Sequence, residues 1–338
     1  MIISRTPFRI SFFGGGTDYA AWYEHNGGAV LSTTIDKYCY LTCRYLPPFF
    51  DYKHRIVYSK VELVKNTKEI LHPVARACLD FLKIRRGIEL HHDGDLPART
   101  GLGSSSSFAV GLLHSLYALK GVMPTNHRLA REAIYVEKEL LKENVGSQDQ
   151  VAVAYGGFNK ISFNEDGTFR LEPVLLPRQR LDYFQSHLML YFTGFSRTAS
   201  EVAKDQIRNT PHKRRELKTM YQMVDEARNI LCSKGGIMKF GKLLHEAWEL
   251  KRSLTDRIST AQIDEIYSEA RRGGATGGKL LGAGGGGFMI FFVKPDLQDK
   301  VRKKLSKLLE VKFRFESSGS QIIFYREDST ESAYLRKT

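Results

Sequence analysis

One stretch, LPARTGLGSSSSFAVGLLHSL from Leu96 to Leu116, joins a glycine turn and four consecutive serines to an apolar run with helical spacing. Serine is a poor residue inside a helix but a good one at its start, where a single hydroxyl caps the free backbone amides. Four serines at one helix start therefore indicate a second role beside capping. Glycine lets the backbone approach a ligand, and a helix N-terminus carries free N–H groups and the positive end of the helix dipole. Together these features predict a phosphate-binding site.

The serine hydroxyls of this stretch support the same prediction. They are able to donate hydrogen bonds to phosphate oxygens or to ligate Mg²⁺, which prefers oxygen ligands. The stretch is not a Walker A loop, because no lysine follows the glycine. A plain alternative stays open, in which a multiply capped helix simply follows a flexible turn.

Composition narrows the class of partner. The chain has 338 residues, enough for two domains or for one large domain with an ample core. Its formal net charge of +14 and pI of about 9.5 favour anionic partners, namely nucleic acid, an anionic membrane surface or phosphorylated small molecules. The basic residues are spread along the chain, without a zinc finger, an RNP-type strand or a basic arm, so no nucleic-acid partner is expected. A basic surface without a partner remains the alternative.

Neither a membrane span nor a secretory leader is expected. No apolar run reaches the ~18 to 20 residues that cross a bilayer, and MIISRTPFRISFF lacks a basic segment followed by a long apolar region. We expect a cytoplasmic protein without a membrane partner. Ordinary reduced core cysteines are expected because the paired spacing of a zinc site is missing among Cys39, Cys43, Cys78 and Cys232.

Strands and helices alternate unevenly along the chain. A strand is predicted for IISRTPFRISFF at the start, and a hairpin is predicted with its turn at Asp166 and Gly167. Helices are predicted at residues 67–84, 126–142, 200–208, 211–232, 237–252 and 261–272. This mixture predicts an α+β fold rather than a regular parallel sheet, with a boundary near residues 175–185.

A second glycine-rich stretch, GGKLLGAGGGGF, spans Gly277 to Phe288. It contains the dinucleotide pattern G-x-G-x-x-G, but an apolar strand follows instead of the helix that this pattern opens. Gly273 to Lys279 has the spacing of a Walker A loop, yet Leu280 stands where a Ser or Thr would hold Mg²⁺. The backbone is therefore expected to run close to another loop or to a ligand. A plain tight bend between helix and strand is the alternative.

A third stretch, RTPFRISFFGGGTDY, places Gly14 to Gly16 directly after a strand, with Asp18 close behind. An aspartate beside glycines either caps the next helix or accepts hydrogen bonds from sugar hydroxyls. The residues alone favour the cap, because Asp is a common residue at the start of a helix.

In their order along the chain, the three stretches resemble the three motifs of the GHMP kinases, the family of galactokinase, homoserine kinase, mevalonate kinase and phosphomevalonate kinase. The motifs are TPFRISFFGGGTD, PARTGLGSSSS and GGKLLGAGGGGF, so the resemblance spans residues 5 to 288. It implies an ATP-dependent kinase with a two-domain α+β fold. The expected domains are a mixed-sheet N-terminal domain at residues 1–180 and a ferredoxin-like C-terminal domain at residues 181–338.

The resemblance implies that the second motif binds the phosphates of ATP. The residues that would wrap these phosphates are Gly101, Leu102, Gly103, Ser104, Ser105 and Ser106. Mg²⁺ would be held by Ser105, with Ser106 as the alternative, and by Glu137 on the next helix. A lone helical glutamate is usually solvated, so the assignment of Glu137 depends on the family pattern.

The resemblance also implies a catalytic pair. Asp149 in VGSQDQ matches the catalytic aspartate of the family, and Arg9 matches the arginine of the galactokinase first motif. Asp149 would orient a sugar hydroxyl and accept its proton during attack on the γ-phosphorus. Arg9 would lie beside this aspartate and stabilise charge on the transferring group. Without the family pattern, Asp149 is an acidic residue of the kind that a helix N-terminus favours.

The first motif would bind the acceptor, through Gly15, Gly16, Thr17 and Asp18. Asp18 matches a ligand of sugar hydroxyls, whereas Gly15 and Gly16 replace the Glu and His of galactokinase. This departure removes two side chains from the sugar pocket. It leaves room for a larger or different sugar and argues against galactose.

Within the family, the first motif is most similar to that of the D-glycero-D-manno-heptose 7-phosphate kinases, which phosphorylate C1 of that sugar phosphate in bacterial nucleotide-heptose synthesis. A distal phosphate needs a cationic partner, and Arg197 is the first candidate, beside Lys160, Arg99 and Lys37. Three alternatives stay open: another sugar 1-kinase of this fold, a catalytically silent sugar sensor, and a basic nucleic-acid-binding module. The sequence leaves the oligomeric state unknown.

Overall fold

The structure is a computed structural model that describes residues 1–194 and 199–327, so Arg197 lies outside the described residues. The α-helices are α1 Ala20–Asn26, α2 Pro73–Phe81, α3 Ser104–Leu119, α4 Asn126–Tyr135, α5 Gln148–Tyr155, α6 Arg178–Ser186, α7 Ala199–Asn209, α8 Arg214–Cys232, α9 Met238–Arg252, α10 Ala261–Arg272 and α11 Gln298–Lys304. The strands are β1 Ile2–Phe13, β2 Gly28–Tyr45, β3 His54–Val57, β4 Val61–Val64, β5 Ile88–Gly94, β6 Phe158–Phe163, β7 Phe169–Pro173, β8 Leu188–Phe192, β9 Ala275–Leu280, β10 Phe288–Val293, β11 Leu309–Val311, β12 Phe315–Glu316 and β13 Gln321–Tyr325.

The strands form two sheets. The larger sheet has nine strands, which follow the path β13-β1-β2-β5-β3-β4, with β12 and β6 also paired to β2 and β7 paired to β6. The β3–β5 pair is parallel and the pairs around β1 and β2 are antiparallel, so this sheet is mixed, as predicted. The smaller sheet has four antiparallel strands in the order β11-β8-β10-β9.

Strand β1 carries the first motif through the larger sheet. It pairs with β2 on one side and with β13 on the other. Pro7 has no backbone N–H to donate, and it lies where the β1–β2 register shifts between Pro7 and Phe8. Every residue from Thr6 to Phe13 is buried. The strand therefore brings Arg9 into the interior of the protein.

Helix α3, which follows the serine run, packs against β1 and β2. Its residues from Ser106 to Ala118 are buried on all sides, so the surrounding core sets the position of the helix. The loop that leads into α3 is bonded to β1, because the Arg9 amide donates to the Leu102 carbonyl oxygen at 3.0 Å. The start of α3 and the middle of β1 are therefore held together.

The smaller sheet confirms the expected ferredoxin-like topology. The order β8, helices α7 to α10, β9, β10, α11 and β11 is a β-α-β-β-α-β arrangement. Strand β10, FMIFFV, is buried at every position, which explains its unbroken apolar sequence. The third motif lies at the junction of β9 and β10 and so belongs to this sheet.

The chain returns to the larger sheet at its end. Strand β12 pairs with β2, and β13 pairs with β1. The Ser320 amide, between these strands, donates to the Val153 carbonyl oxygen of α5 at 3.0 Å. The division into residues 1–180 and 181–338 stays a prediction, and the structure adds this return crossing, which supports α5.

The helix predicted at residues 67–84 is shorter in the structure. Helix α2 begins only at Pro73, because proline suits the first turn of a helix and not its interior. The His72 side chain caps it by accepting a hydrogen bond from the Ala75 amide. A 3₁₀ turn at Thr67–Glu69 precedes the helix.

The helix predicted at residues 126–142 changes type within its length. It is α-helical up to Tyr135 and π-helical over Val136–Leu140. A π-helical turn is rare and is often found at functional sites.

The hairpin turn predicted at Asp166 and Gly167 is confirmed by the antiparallel pairing of β6 with β7.

Two expectations from composition are tested by the structure. Cys39, Cys43 and Cys78 are buried free cysteines, as expected, whereas Cys232 at the end of α8 is exposed, which corrects the prediction for that residue. Of the helices described, not one is both long enough and apolar enough to cross a membrane.

An aromatic cluster joins the two sheets. The Phe184 ring on α6 is fully buried, and its centroid lies 5.7 Å from that of Phe12 on β1 and 4.7 Å from that of Phe240 on α9. Phe292 on β10 completes the cluster, with its centroid 6.1 Å from that of Phe184. Because Phe12 belongs to the larger sheet and Phe292 to the smaller, Phe184 helps to set how the sheets meet.

We expect Phe184→Ala to lower the free energy of unfolding by about 3–5 kcal/mol, because it removes a fully buried ring and leaves a cavity between the sheets. Urea denaturation measures the change. Leu175→Ala is the control: Leu175 is 82% exposed, so its truncation should change the free energy of unfolding by less than about 0.5 kcal/mol. Equal losses in the two variants would contradict this account of the junction.

Candidate active site

Arg9 and Asp149 form the centre of the site. The Arg9 guanidinium donates from Nε to Asp149 Oδ1 and from Nη2 to Asp149 Oδ2, both at 2.7 Å. Its Nη1 donates to the Gly101 carbonyl oxygen at 2.5 Å. The Arg9 side chain is 3% exposed, whereas that of Asp149 is 24% exposed. The bidentate pair therefore fixes the carboxylate from the inside of the protein and leaves it accessible to a ligand.

The local fold places Asp149 in the first turn of α5, where the helix dipole favours a carboxylate. The structure thus brings together three residues that the sequence predicts to act together, Arg9, Gly101 and Asp149. Their contact is observed, and their roles in catalysis stay predictions.

The serine run does not cap α3. Gly103 is the N-cap residue, with a φ of +77°, and no side chain caps the helix. Ser104 Oγ accepts from the Arg99 amide at 3.0 Å, and Ser107 Oγ donates to the carbonyl oxygens of Pro7 and Gly103. The first amides of α3 are left without a side-chain partner, which suits an anion and argues against the multiply capped helix.

The two middle serines bind the carboxylate of Glu137. Ser105 Oγ donates to Glu137 Oε1 at 3.0 Å, and Ser106 Oγ donates to Oε2 at 2.8 Å. Gln150 Nε2 also donates to Oε2, while Gln150 Oε1 is buried and has no partner in the described part of the chain. Glu137 lies on the π-helical turn and is fully buried, and burial raises the pKa of its carboxyl to about 7.

This set of oxygen donors fits Mg²⁺. A buried carboxylate whose described partners are all neutral is costly to ionise, and a divalent cation would offset that cost. Mg²⁺ commonly binds one or two carboxylates together with phosphate oxygens and water. Across residues 1–194 and 199–327, no cluster of three or more His, Cys, Asp or Glu side chains is able to hold a metal alone. Phosphate oxygens would therefore complete the coordination at Ser105 and Glu137.

The third motif lies against the second. The Phe288 amide donates to the Thr100 carbonyl oxygen at 3.1 Å. Gly101 has a φ of +84°, and a Cβ on it would lie 2.2 Å from the Leu281 carbonyl oxygen. A Cβ on Gly282 would lie 2.6 Å from the Gly101 Cα. Only glycine permits this approach of two backbones, so the close neighbour predicted for the third motif is another loop.

Asp18 lies in a buried turn of the first motif. It is 2% exposed, and its Oδ1 accepts from the Gly16 amide at 2.8 Å. Helix α1 has Tyr19 as its N-cap residue and no side-chain cap, so the predicted capping role of Asp18 is wrong. Burial raises the pKa of the Asp18 carboxyl, and the nearby Asp149 carboxylate acts in the same direction. The Ser147 amide donates to the Asp18 carbonyl oxygen at 3.0 Å, which joins this turn to α5.

The hydroxyl of Thr17 is used inside the same turn. It donates to the carbonyl oxygens of Gly14 and Ala29, at 2.9 and 2.8 Å, and accepts from the Ala29 amide at 3.1 Å. Its side chain is fully buried. These contacts give Thr17 a role in ordering the turn and do not support the substrate contact that the resemblance predicts for it.

The two glycines of the predicted pocket have different surroundings. A Cβ on Gly15 would have only Gln148 Nε2 within reach, at 3.9 Å, so space is open there. Gly16 has a φ of +115°, and a Cβ on it would lie 2.4 Å from Gln206 Nε2. The room expected from two missing side chains therefore exists at Gly15, whereas the Gln206 amide fills it at Gly16.

Comparison with known proteins identifies the family. Residues 63–157 match the GHMP kinases N terminal domain, and residues 218–311 match the GHMP kinases C terminal domain, together more than half of the chain. The chain belongs to the GHMP kinase family. It is therefore a phosphotransferase, of a family whose members are ATP-dependent kinases.

Individual relatives cover nearly the whole chain. It is 28% identical over 326 residues, 90% of this chain and 93% of the relative, to D-glycero-alpha-D-manno-heptose 7-phosphate kinase of Campylobacter jejuni. It is 26% identical over 337 residues, 87% of this chain and 90% of the relative, to galactokinase of Pyrococcus furiosus. The structure of a D-glycero-D-manno-heptose 1-phosphate kinase from Bacteroides thetaiotaomicron aligns with a TM-score of 0.77 at 23% identity, over 97% of this chain and 100% of that chain. The GHMP kinase fold predicted from the three motifs is thereby confirmed.

Three buried residues of this GHMP kinase site, Lys251, Lys279 and Gln206, are not predicted from the sequence. Lys251 on α9 donates from Nζ to the Gly15 carbonyl oxygen at 3.2 Å and to Gln206 Oε1 at 2.8 Å. Lys279 on β9 donates from Nζ to two carbonyl oxygens of β1, at 3.0 and 3.1 Å. Burial lowers the pKa of Lys251 to about 8 and that of Lys279 to about 7.

Only one of these residues has a signal in the sequence. Lys279 stands at a Walker-like spacing from Gly273, but in the structure it binds the backbone of β1. Lys251 and Gln206 lie on amphipathic helices among many other polar residues, so their sequence context does not single them out.

The described contacts do not single out one cationic residue as the partner of a distal phosphate. Arg197 lies outside the described residues. Lys160 and Lys37 are each paired with an aspartate, at 2.6 and 3.5 Å. Arg99 belongs to the loop before α3, where its amide binds the first serine of the run. None of these three is placed at the first-motif turn by the contacts described.

We expect Gly101→Ala to reduce the affinity for ATP by roughly tenfold or more, which is about 1.4 kcal/mol of binding free energy. The added Cβ would push the second motif away from the Leu281 carbonyl oxygen. Gly121→Ala is a matched control, because its φ of +69° imposes similar backbone strain while a Cβ there would meet nothing within 4 Å. Calorimetric titration with ATP measures both variants, and an equal loss in the control would refute the role of loop contact.

We expect Glu137→Gln to raise the Mg²⁺ concentration for half-maximal activity by at least about 10-fold to 100-fold, since the amide keeps the volume but loses the charge. Glu139→Gln, an exposed change on the same π-helical turn, should leave that concentration unchanged. The measurement is a Mg²⁺ titration at fixed ATP. An unaltered Mg²⁺ requirement in Glu137→Gln would exclude this residue as a ligand.

Proposed function

We propose that this GHMP kinase transfers the γ-phosphoryl group of ATP to the anomeric C1 hydroxyl of D-glycero-D-manno-heptose 7-phosphate, giving the 1,7-bisphosphate for nucleotide-heptose synthesis. The observation that carries the proposal is the Arg9–Asp149 pair. It is bonded to the second motif through Gly101, and Asp149 lies near Asp18 of the first motif. The near full-length similarity to a heptose 7-phosphate kinase supports the choice of acceptor. We also propose that the protein acts in the cytoplasm.

In this mechanism, Asp149 orients the acceptor hydroxyl and takes its proton as the oxygen attacks the γ-phosphorus in line with the leaving group. The two bonds from Arg9 hold both carboxylate oxygens at 2.7 Å, so the carboxylate cannot rotate away from the acceptor. The third Arg9 bond, to Gly101, ties the base to the loop that would wrap the phosphates. Transfer is direct, and no phosphorylated protein residue is formed.

The second motif would bind the nucleotide. The amides of Ser104, Ser105 and Ser106 begin α3 without a side-chain cap, and they would donate to the phosphate oxygens of ATP. Ser105 or Ser106, together with Glu137, would hold Mg²⁺, which supplies charge neutralisation on the phosphates when it is bound.

The first motif would bind the sugar. The Asp18 carboxylate is able to accept a hydrogen bond from a sugar hydroxyl, and its burial excludes competing water. The open side of Gly15 gives space for a sugar larger than a hexose. Arg197 remains the first candidate for binding the 7-phosphate, because Lys160 and Lys37 already have carboxylate partners.

A second candidate function is phosphorylation of a different sugar at C1. The similarity to a galactokinase over most of both chains favours it. A catalytically silent sugar sensor is less well supported, because Arg9, Asp149, Glu137 and the serines form a complete set of contacts. Nothing in the part of the chain that the structure describes favours a nucleic-acid-binding role.

The test is Mg²⁺-dependent release of ADP from ATP with a panel of acceptors: heptose 7-phosphate, unphosphorylated heptose, mannose 6-phosphate, fucose and galactose. We expect turnover with heptose 7-phosphate alone. Asp149→Asn should lower kcat by at least about 10²-fold, because the base is lost while the shape is kept. Asp182→Asn, on the exposed face of α6, is the control and should keep full activity.

Other results on the panel would redirect the proposal. Turnover with an unphosphorylated sugar would keep the kinase and discard the recognition of a distal phosphate. No turnover with any acceptor, while ATP still binds, would favour the sensor.

A further inference from the structure

Gln206 on α7 has a buried hydrogen-bond donor that no described residue pairs with. The residue is 2% exposed. Its Oε1 accepts from Lys251 Nζ at 2.8 Å, whereas its Nε2 has no hydrogen-bond partner among residues 1–194 and 199–327. Nearly all buried polar groups in proteins are paired, so an unpaired amide nitrogen calls for an explanation.

The contact with Lys251 fixes which way the Gln206 amide points. A lysine ammonium has donors only, so the amide oxygen must face it and the amide nitrogen must point the other way. Lys251 is itself buried and anchored, because it also donates to the Gly15 carbonyl oxygen at 3.2 Å. The free N–H groups of Gln206 therefore have a defined direction.

That direction leads to the turn of the first motif. Gln206 Nε2 occupies the position beside Gly16 where a side chain would stand, 2.4 Å from an ideal Cβ. The Gly16 amide donates to Asp18 Oδ1 at 2.8 Å, and the Asp18 amide and the charge of Lys251 also act on this carboxyl group. No ion pair joins Lys251 to Asp18 within the described chain. A buried donor and a buried acceptor thus both lie next to Gly16, each with bonding capacity left.

We infer that Gln206 is a substrate-binding and specificity-determining residue. Its Nε2 donates to a sugar hydroxyl whose own proton is donated to Asp18, since a hydroxyl is both a donor and an acceptor. Lys251 is a positioning residue that orients the amide through its oxygen. The inference rests on the proposed function only in that the acceptor is a sugar, and it makes α7 and α9 of the second half of the chain part of the sugar pocket.

The competing explanation is that Gln206 and Lys251 only hold the helices against the first-motif turn. Gln206→Glu separates the two cases, because it keeps the shape and the bond to Lys251 but removes the amide donors. Gln206→Met keeps the volume without either polar atom and avoids a new charge beside Asp18. Lys204→Gln, an exposed change on the same helix, is the matched control.

The experiment measures KM for the sugar, KM for ATP and kcat, with the sugar that the wild-type enzyme turns over best in the acceptor panel. We expect both Gln206 variants to raise the sugar KM by about 10-fold to 100-fold, as the loss of a buried hydrogen bond does, with the KM for ATP within about twofold of wild type. Lys204→Gln should match wild type. An unchanged sugar KM, or equal rises in both KM values, would overturn the inference.

A second readout uses sugars that each lack one hydroxyl. The wild-type enzyme should discriminate against one of them through Gln206, and Gln206→Met should lose that discrimination for this sugar alone. Lys251→Met should behave like Gln206→Met, and Lys251→Arg should restore part of the discrimination. Equal loss for every deoxy sugar would indicate a structural role and overturn the inference. If wild type prefers a sugar other than heptose 7-phosphate, the proposed function fails while the Gln206 test stands on that sugar.

Discussion

The buried guanidinium of Arg9 is the interaction on which the rest of the site depends. A guanidinium in the interior keeps its charge and needs acceptors for its N–H groups. The two oxygens of Asp149 and the Gly101 carbonyl oxygen supply them at 2.5 to 2.7 Å. Loss of one partner from a buried ion pair typically costs about 3–5 kcal/mol, because a charge is left unpaired in the interior. Strand β1, the loop before α3 and the start of α5 are therefore one unit, and any movement of Asp149 moves the loop before α3 with it.

Backbone contact extends this unit to the third motif. Gly101 belongs to the loop that Arg9 holds, and the same glycine lies against the backbone at Leu281 and Gly282. The second half of the chain is thereby fixed to the loop before α3 through backbone contacts. Lys279, two residues before Leu281, adds a second connection by donating to carbonyl oxygens of β1. Contacts of the glycine-rich third motif therefore help to fix the smaller sheet against the larger sheet at this site.

The sequence predicts those parts of the site that local chemistry determines. The glycine turn and serines before α3 are local, and so is the position of Asp149 at a helix start; the structure keeps both, although Gly103 and not a serine caps α3. The π-helical turn that carries Glu137 is not predictable, because a segment of five residues is too short for its spacing to be told from that of the α-helix before it. Gln206 and Lys251 are not predictable either, since their partners are chosen by how α7 and α9 pack on the first motif. The short strands β12 and β13 join the larger sheet for the same long-range reason.

The electrostatics of the site explain why an anion suits it. Lys251 and Lys279 have an ordinary pKa of 10.5, which burial lowers to about 8 and about 7. The native state therefore binds fewer protons than the unfolded chain between about pH 7 and pH 10.5, so the free energy of unfolding rises with pH across that window. Below it both lysines are charged in both states, and the fold bears the full cost of their burial. An anionic ligand bound near these ammonium groups would offset this cost, because its charge would favour the ammonium forms and it would bind only the native state. The burial of these two lysines would thus favour the binding of an anion beside them.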